Sequence, residues 1–247
     1  MYAISIVNYY NTRPFVYGLK HHPLRMPAHI EYDIPSTCAR KLKSGQVDIG
    51  LVPVAIIPEL ETYHIITDYC IGANGKVDSV KLFAHKPLEE LTHIMLDYQS
   101  KTSITLVQVL NKHFWKKNIQ FVPAEEGFEQ KIGGTTGAVI IGDRTFGLST
   151  KEHPYHYDLA DEWKKQTGLP FVFAAWVSNK PIDDAFIDTF NDTLRYGAEH
   201  IKEAAAEQQH PTPGFDSYDY LSNKISYNLD EEKRKALGLF LKLMEDL

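Results

Sequence analysis

Short apolar runs alternate with amphipathic stretches along most of this chain. Ala3–Val7, Val47–Val54, Ile94–Leu96, Ile119–Val122, Ala138–Ile141 and Phe171–Val177 are short and mostly apolar, which predicts strands, and Ile30–Ile34 has the look of another short strand. Ser79–Ala84 alternates as a half-buried strand does. Between these runs, apolar residues recur every three or four positions, as on one face of a helix. Phe15, Val16 and Leu19 start one such stripe; Leu106, Val107, Leu110 and Phe114 make another. Pro35-Ser36-Thr37 opens a helix through Cys38, Leu42 and Ser44, with Gly45 as its stop. Ala55–Leu60 and Glu125–Gln130 predict short helical turns, and Tyr157–Trp163 an acidic helix start that Gly168-Leu169-Pro170 interrupts. Ile182–Glu207 is mostly helical, and Asn228 with Glu231 forms a capping box before a final helix carrying Leu237, Phe240, Leu241 and Met244. Asp68–Val77 mixes turn residues with small ones, and Gly133–Gly137 is a glycine-rich turn lacking the lysine of a P-loop.

Strands alternating with helices imply an α/β fold with mainly parallel sheets flanked by helices. Ser79–Ala84 and Phe171–Val177 flank a central section and suit the crossovers between two lobes. The expected architecture is a clamshell with ligand in the interlobe cleft: lobe I from 1–85 plus 176–247, lobe II from 86–175. Two strand-to-helix turns stand out. In the first, Asn8-Tyr9-Tyr10-Asn11-Thr12-Arg13-Pro14 follows a strand, and proline is tolerated in a first helical turn. In the second, Asp97-Tyr98-Gln99-Ser100-Lys101-Thr102-Ser103 is rich in hydroxyls. A helix start leaves backbone N–H groups unpaired and carries partial positive charge, so each turn suits an anion. Asn11 and Ser100 are either caps and turn residues or ligand contacts; periodicity does not separate the two.

Composition narrows the field. At 247 residues, 43% hydrophobic and 23% charged, the chain has the make-up of a globular protein. Its net charge of −6 gives no basic footprint for nucleic acid, so an anion must be met by local donors. Cys38 and Cys70 match no metal-site spacing, and His153 and His156 lack further ligands nearby, which predicts surface histidines. No apolar run approaches the roughly 18 residues of a membrane span, and no secretory signal is evident, so the expected location is the cytoplasm.

Taken together, the motifs resemble the chorismate dehydratase family of the futalosine route to menaquinone. The matching stretches include Tyr9–Pro14, Gly45–Val54, Asp68–Ala73 with Gly75–Val77, Leu96–Ser103, Ile141–Asp143, Tyr157–Leu159 with Trp163, and Thr167–Ala174 with Trp176. They run nearly end to end, and their order makes the likeness specific. The family usually has serine at Asn8, leucine at Tyr10 and arginine at Lys101; arginine grips a carboxylate with two parallel bonds, lysine as a point charge.

The resemblance implies a type II periplasmic-binding-protein-like fold. It also implies loss of water from chorismate, a small dicarboxylate, to give 3-(1-carboxyvinyloxy)benzoate, with no metal or organic cofactor. It nominates Asn11 and Ser100 as catalytic, and Thr12, Arg13, Val54, Lys101, Thr102, Ser103, Gly142 and Asp143 as substrate contacts. Rival readings are a dihydroxynaphthoate synthase of the same pathway, whose catalytic histidine finds no counterpart here, and a non-catalytic small-anion-binding protein.

Overall fold

The computed structural model describes all residues 1–247. Its strands are β1 (Tyr2–Val7), β2 (Ala28–Asp33), β3 (Ile49–Pro53), β4 (His64–Ala73), β5 (Val80–Ala84), β6 (His93–Leu96), β7 (Gln120–Pro123), β8 (Thr136–Ile141), β9 (Tyr155–Asp158), β10 (Phe171–Ser178) and β11 (Ser226–Asn228). They form a six-stranded sheet in the order β11-β4-β10-β3-β1-β2 and a five-stranded sheet in the order β7-β6-β8-β5-β9. The helices are α1 (Arg13–His21), α2 (Pro35–Lys43), α3 (Lys101–Val109), α4 (Leu159–Thr167), α5 (Asp184–Glu199), α6 (Ile201–Glu207) and a C-terminal helix, Glu231–Met244. No helix is long and apolar enough to cross a membrane.

The two-lobed α/β architecture matches expectation, with three corrections. Both sheets are mixed rather than mainly parallel. β1 pairs in parallel with β2 and β3, and β6 with β7 and β8; β10 and β5 run antiparallel to their neighbours. β4 leads into β5 through a short helix-free segment, whereas α4 stands between β9 and β10. The crossings also fall earlier than residues 85 and 175, because β5 lies wholly in the second sheet and β10 wholly in the first. Finally, the stretch read as turn-like at Asp68–Val77 belongs largely to β4. Gly72 is there for close approach: a Cβ on it would stand 2.8 Å from Phe171 O on the paired strand.

Smaller departures have local causes. The final helix is capped by Asp230, whose side chain accepts from Lys233 N at 2.9 Å, while Asn228 sits in β11. His153 is buried and stacks on His85, ring centroids 5.2 Å apart, instead of standing at the surface.

The core of the first lobe fixes α1, and with it the turn that precedes α1. Phe15 on α1 meets Trp176 on β10 at 5.9 Å between ring centroids, and Trp176 meets Phe190 on α5 at 4.8 Å. Gly18 and Gly197 let α1 and α5 touch backbone to backbone; a Cβ on Gly197 would lie 1.8 Å from Pro14 O. Burying aromatic side chains of this size stabilises by about 1.5–3 kcal/mol each relative to exposure.

Candidate functional site

One cavity lies where the two lobes meet, and both strand-to-helix turns open onto it. It encloses about 510 Å³ of space counting its mouth, within the range of small-molecule sites. Val7, Tyr9, Asn11 and Thr12 come from the end of β1 and the turn after it. Ser79 and Val80 come from the crossing into β5, Ser100 and Ser103 from the start of α3, and Ile141 and Gly142 from the end of β8. The remaining wall is Pro35, Pro53, Ile71, Val77, Phe173 and Ala174. It holds no Asp, Glu, His, Lys, Arg or Cys. Its one ionisable group is the phenol of Tyr9, which burial pushes above its ordinary range.

The first turn is held by Thr12, whose hydroxyl donates to Val7 O (2.7 Å) or Tyr9 O (2.8 Å). Tyr227 donates its hydroxyl to Asn11 O at 3.1 Å. Asn11 Oδ1, by contrast, is buried with no partner. A buried orphan acceptor costs about 1–3 kcal/mol, so this oxygen on the cavity wall is open to a donor from whatever fills the cavity.

The second turn is shaped by Asp97, fully buried. Its carboxylate accepts from Gln99 N at 3.0 Å and Ile141 N at 3.1 Å and pairs with Arg144, which in turn reaches Glu129 at 2.7 Å. Burial still leaves the Asp97 carboxyl above its usual range. Ser100 is the N-cap of α3, accepting from Ser103 N at 3.5 Å, and its Oγ lies 3.3 Å from Ser103 Oγ. Both serines therefore lie on the wall, one helical turn apart on one face.

Five other nominated residues stand elsewhere. Thr102 is rotated off the wall, and its Oγ1 accepts from Ala55 N at 3.1 Å, joining α3 to the 3₁₀ turn Val54–Glu59. Val54 is fully buried behind Pro53. Lys101 points outward and pairs with Glu59, its side chain 45% exposed. Arg13 lines a separate outer cleft with Tyr17, Lys20 and Glu207. Asp143 accepts from Tyr10 N at 3.2 Å, so it ties the second lobe to the Asn11 turn rather than facing the cavity. Its other oxygen lies 4.0 Å from His210 Nε2, and partial burial raises its carboxyl. Gly142 does line the wall. Its φ of +66° needs glycine, and a Cβ there would meet the Tyr9 ring at 3.1 Å.

Two polar wall residues, Tyr9 and Ser79, were not nominated from sequence. Tyr9 spans the cleft and donates its hydroxyl to Gln99 Oε1. Ser79 is buried at the lobe crossing, its carbonyl accepting from Gly142 N at 2.8 Å. The available signal was Gly75-Lys76-Val77, a matched stretch that stops two residues short of Ser79. No group of three or more His, Cys, Asp or Glu side chains could hold a metal ion. What the wall offers is neutral: hydroxyls, amides and an apolar floor, fit for orienting a partly apolar anion.

Known proteins fit this picture. The chain is 26% identical to a chorismate dehydratase of Thermus thermophilus, the alignment covering 97% of this chain and 93% of that one. It is 27% identical to a chorismate dehydratase of Campylobacter jejuni, over 98% and 96%. The periplasmic aliphatic sulphonate binding protein of Escherichia coli superposes with a TM-score of 0.62 at 12% identity, over 99% and 91%, a likeness of fold. Residues 2–246 match the family described as menaquinone biosynthesis, and this protein belongs to that family.

Proposed function

We propose that this protein removes water from chorismate to give 3-(1-carboxyvinyloxy)benzoate, on the futalosine route to menaquinone. The observation that carries the reading is the cavity wall: Asn11, Ser79, Ser100 and Ser103 converge on one enclosed space without any ordinary acid or base. The two chorismate dehydratase relatives, aligned over nearly their whole lengths, support the same substrate. Cys38 and Cys70 are buried free thiols, in keeping with a reducing, cytoplasmic setting.

The reaction removes a proton from the ring carbon bearing the enolpyruvyl ether. The C–H electron pair becomes the new ring π bond, and the neighbouring hydroxyl leaves with its bonding pair; proton and hydroxide make up the water. Aromatisation drives the step, so the protein's work is orientation. With no base on the wall, the substrate's own side-chain carboxylate accepts the proton while Asn11 holds the reacting edge in place. Ser100, Ser103 and the start of α3 meet the charge that spreads toward the ring carboxylate. Hydrogen bonds to a charged group contribute roughly 1.5–3 kcal/mol each, and a helix start about 0.3–1. Thr102, whose oxygen is engaged by Ala55, is left out of this set.

The test is purified protein with chorismate, followed by mass for loss of one water and by absorbance for an aromatic product. Binding without turnover would favour an anion-binding protein, a role the fold also serves in the sulphonate-binding neighbour.

A further inference from the structure

Ser79 Oγ has one partner inside the protein, the hydroxyl of Tyr220, which donates to it at 2.8 Å. A serine oxygen that accepts one hydrogen bond still carries its own hydrogen to place. No protein acceptor takes it, and Ser79 lies on the cavity wall with Asn11. Tyr220 itself is held rigidly. It is 3% exposed, with Phe146 at 5.0 Å, Phe215 at 5.4 Å and Tyr10 at 6.3 Å between ring centroids. Phe146 belongs to the second lobe, so this cage is complete only with the lobes together. Burial also pushes the phenol above its ordinary range, so it remains a donor throughout the working pH range.

We propose that Tyr220 is a positioning residue: by donating to Ser79 it fixes that hydroxyl's rotor and turns Ser79 O–H into the cavity, toward the substrate. The inference rests on the reading of this cavity as the chorismate site. A donor chain of this kind strengthens its last bond by polarisation, because each oxygen that accepts becomes a better donor. Phenylalanine at 220 would keep the ring in its cage and remove only the hydroxyl, leaving Ser79 free to rotate.

The experiment is a double-mutant cycle over wild type, Tyr220→Phe, Ser79→Ala and the double variant, with kcat and KM for chorismate measured separately. Ser79→Ala is expected to lower kcat about 100-fold, as loss of a wall donor does. Tyr220→Phe is expected to lower kcat about 10-fold with KM within about twofold, and to have no further effect once Ser79 is alanine. An equal loss in both backgrounds would give Tyr220 a purely structural part and overturn the proposal, as would no loss in either. If wild type binds chorismate without converting it, the dehydration reading fails on its own; the same cycle read on affinity then decides the Tyr220 pairing. Wild type that neither binds nor converts chorismate overturns both.

Discussion

The turns at Asn11 and Ser100 are alike in kind, each a strand end passing through polar residues into a helix, yet they spend their side chains differently. Ser100 is occupied as a cap, bonded to Ser103 of its own helix. Asn11 caps nothing: its carbonyl accepts from Tyr227, its neighbour Thr12 ties the turn back to Val7 and Tyr9, and its Oδ1 is buried without a partner. The difference separates stability from function. Ser100 sustains the fold and offers what donor capacity is left over; Asn11 carries an unmet acceptor facing the cavity, which the proposed substrate would engage.

The largest effect should come from Asn11→Ala. Chorismate turnover is expected to fall about 10²–10³-fold with thermal stability unchanged or slightly raised, since an unsatisfied buried group is removed. Unchanged turnover would end the distinction drawn here. Thr102→Val should do the opposite. It orphans the Ala55 N–H and lowers stability by about 1–3 kcal/mol, while kcat per folded molecule, measured by active-site titration, stays near wild type. A smaller loss is expected for Ser100→Ala, about 1 kcal/mol in denaturant unfolding, with a moderate drop in kcat from the missing hydroxyl. Least of all should follow Lys101→Ala, because its pair with Glu59 is exposed: less than about 1 kcal/mol, fading in high salt, and turnover within about twofold. A large KM increase there would instead place Lys101 at the substrate.

Much of this was legible in the sequence, for reasons that can be named. Buried strands such as β8 and β10 announce themselves by apolar runs, and Gly45 and Gly168 end their helices with positive φ. Both key turns could be found because polar residues between a strand and a helix are conspicuous. Which face of α3 would look into the cavity was not legible: Ser100 and Ser103 share it while Thr102 turns to Ala55, and that depends on how the helix rolls against the other lobe. β4 was hidden because Gly72 reads as a turn residue when its purpose is contact with β10. Ser79 was missed because an isolated serine at the head of an alternating strand carries no pattern; only its position between the lobes gives it meaning.

The neutral wall of the cavity has a bearing on how the rate should respond to acidity. An enzyme that relies on a histidine or lysine proton donor slows as that group loses its proton in mildly alkaline solution. Here the one ionisable wall group, Tyr9, is held above its usual range and bonded to Gln99, so the proposed dehydration is expected to show no such limb below roughly pH 9. Any fall on the acidic side would then track the carboxylates that the substrate itself brings in.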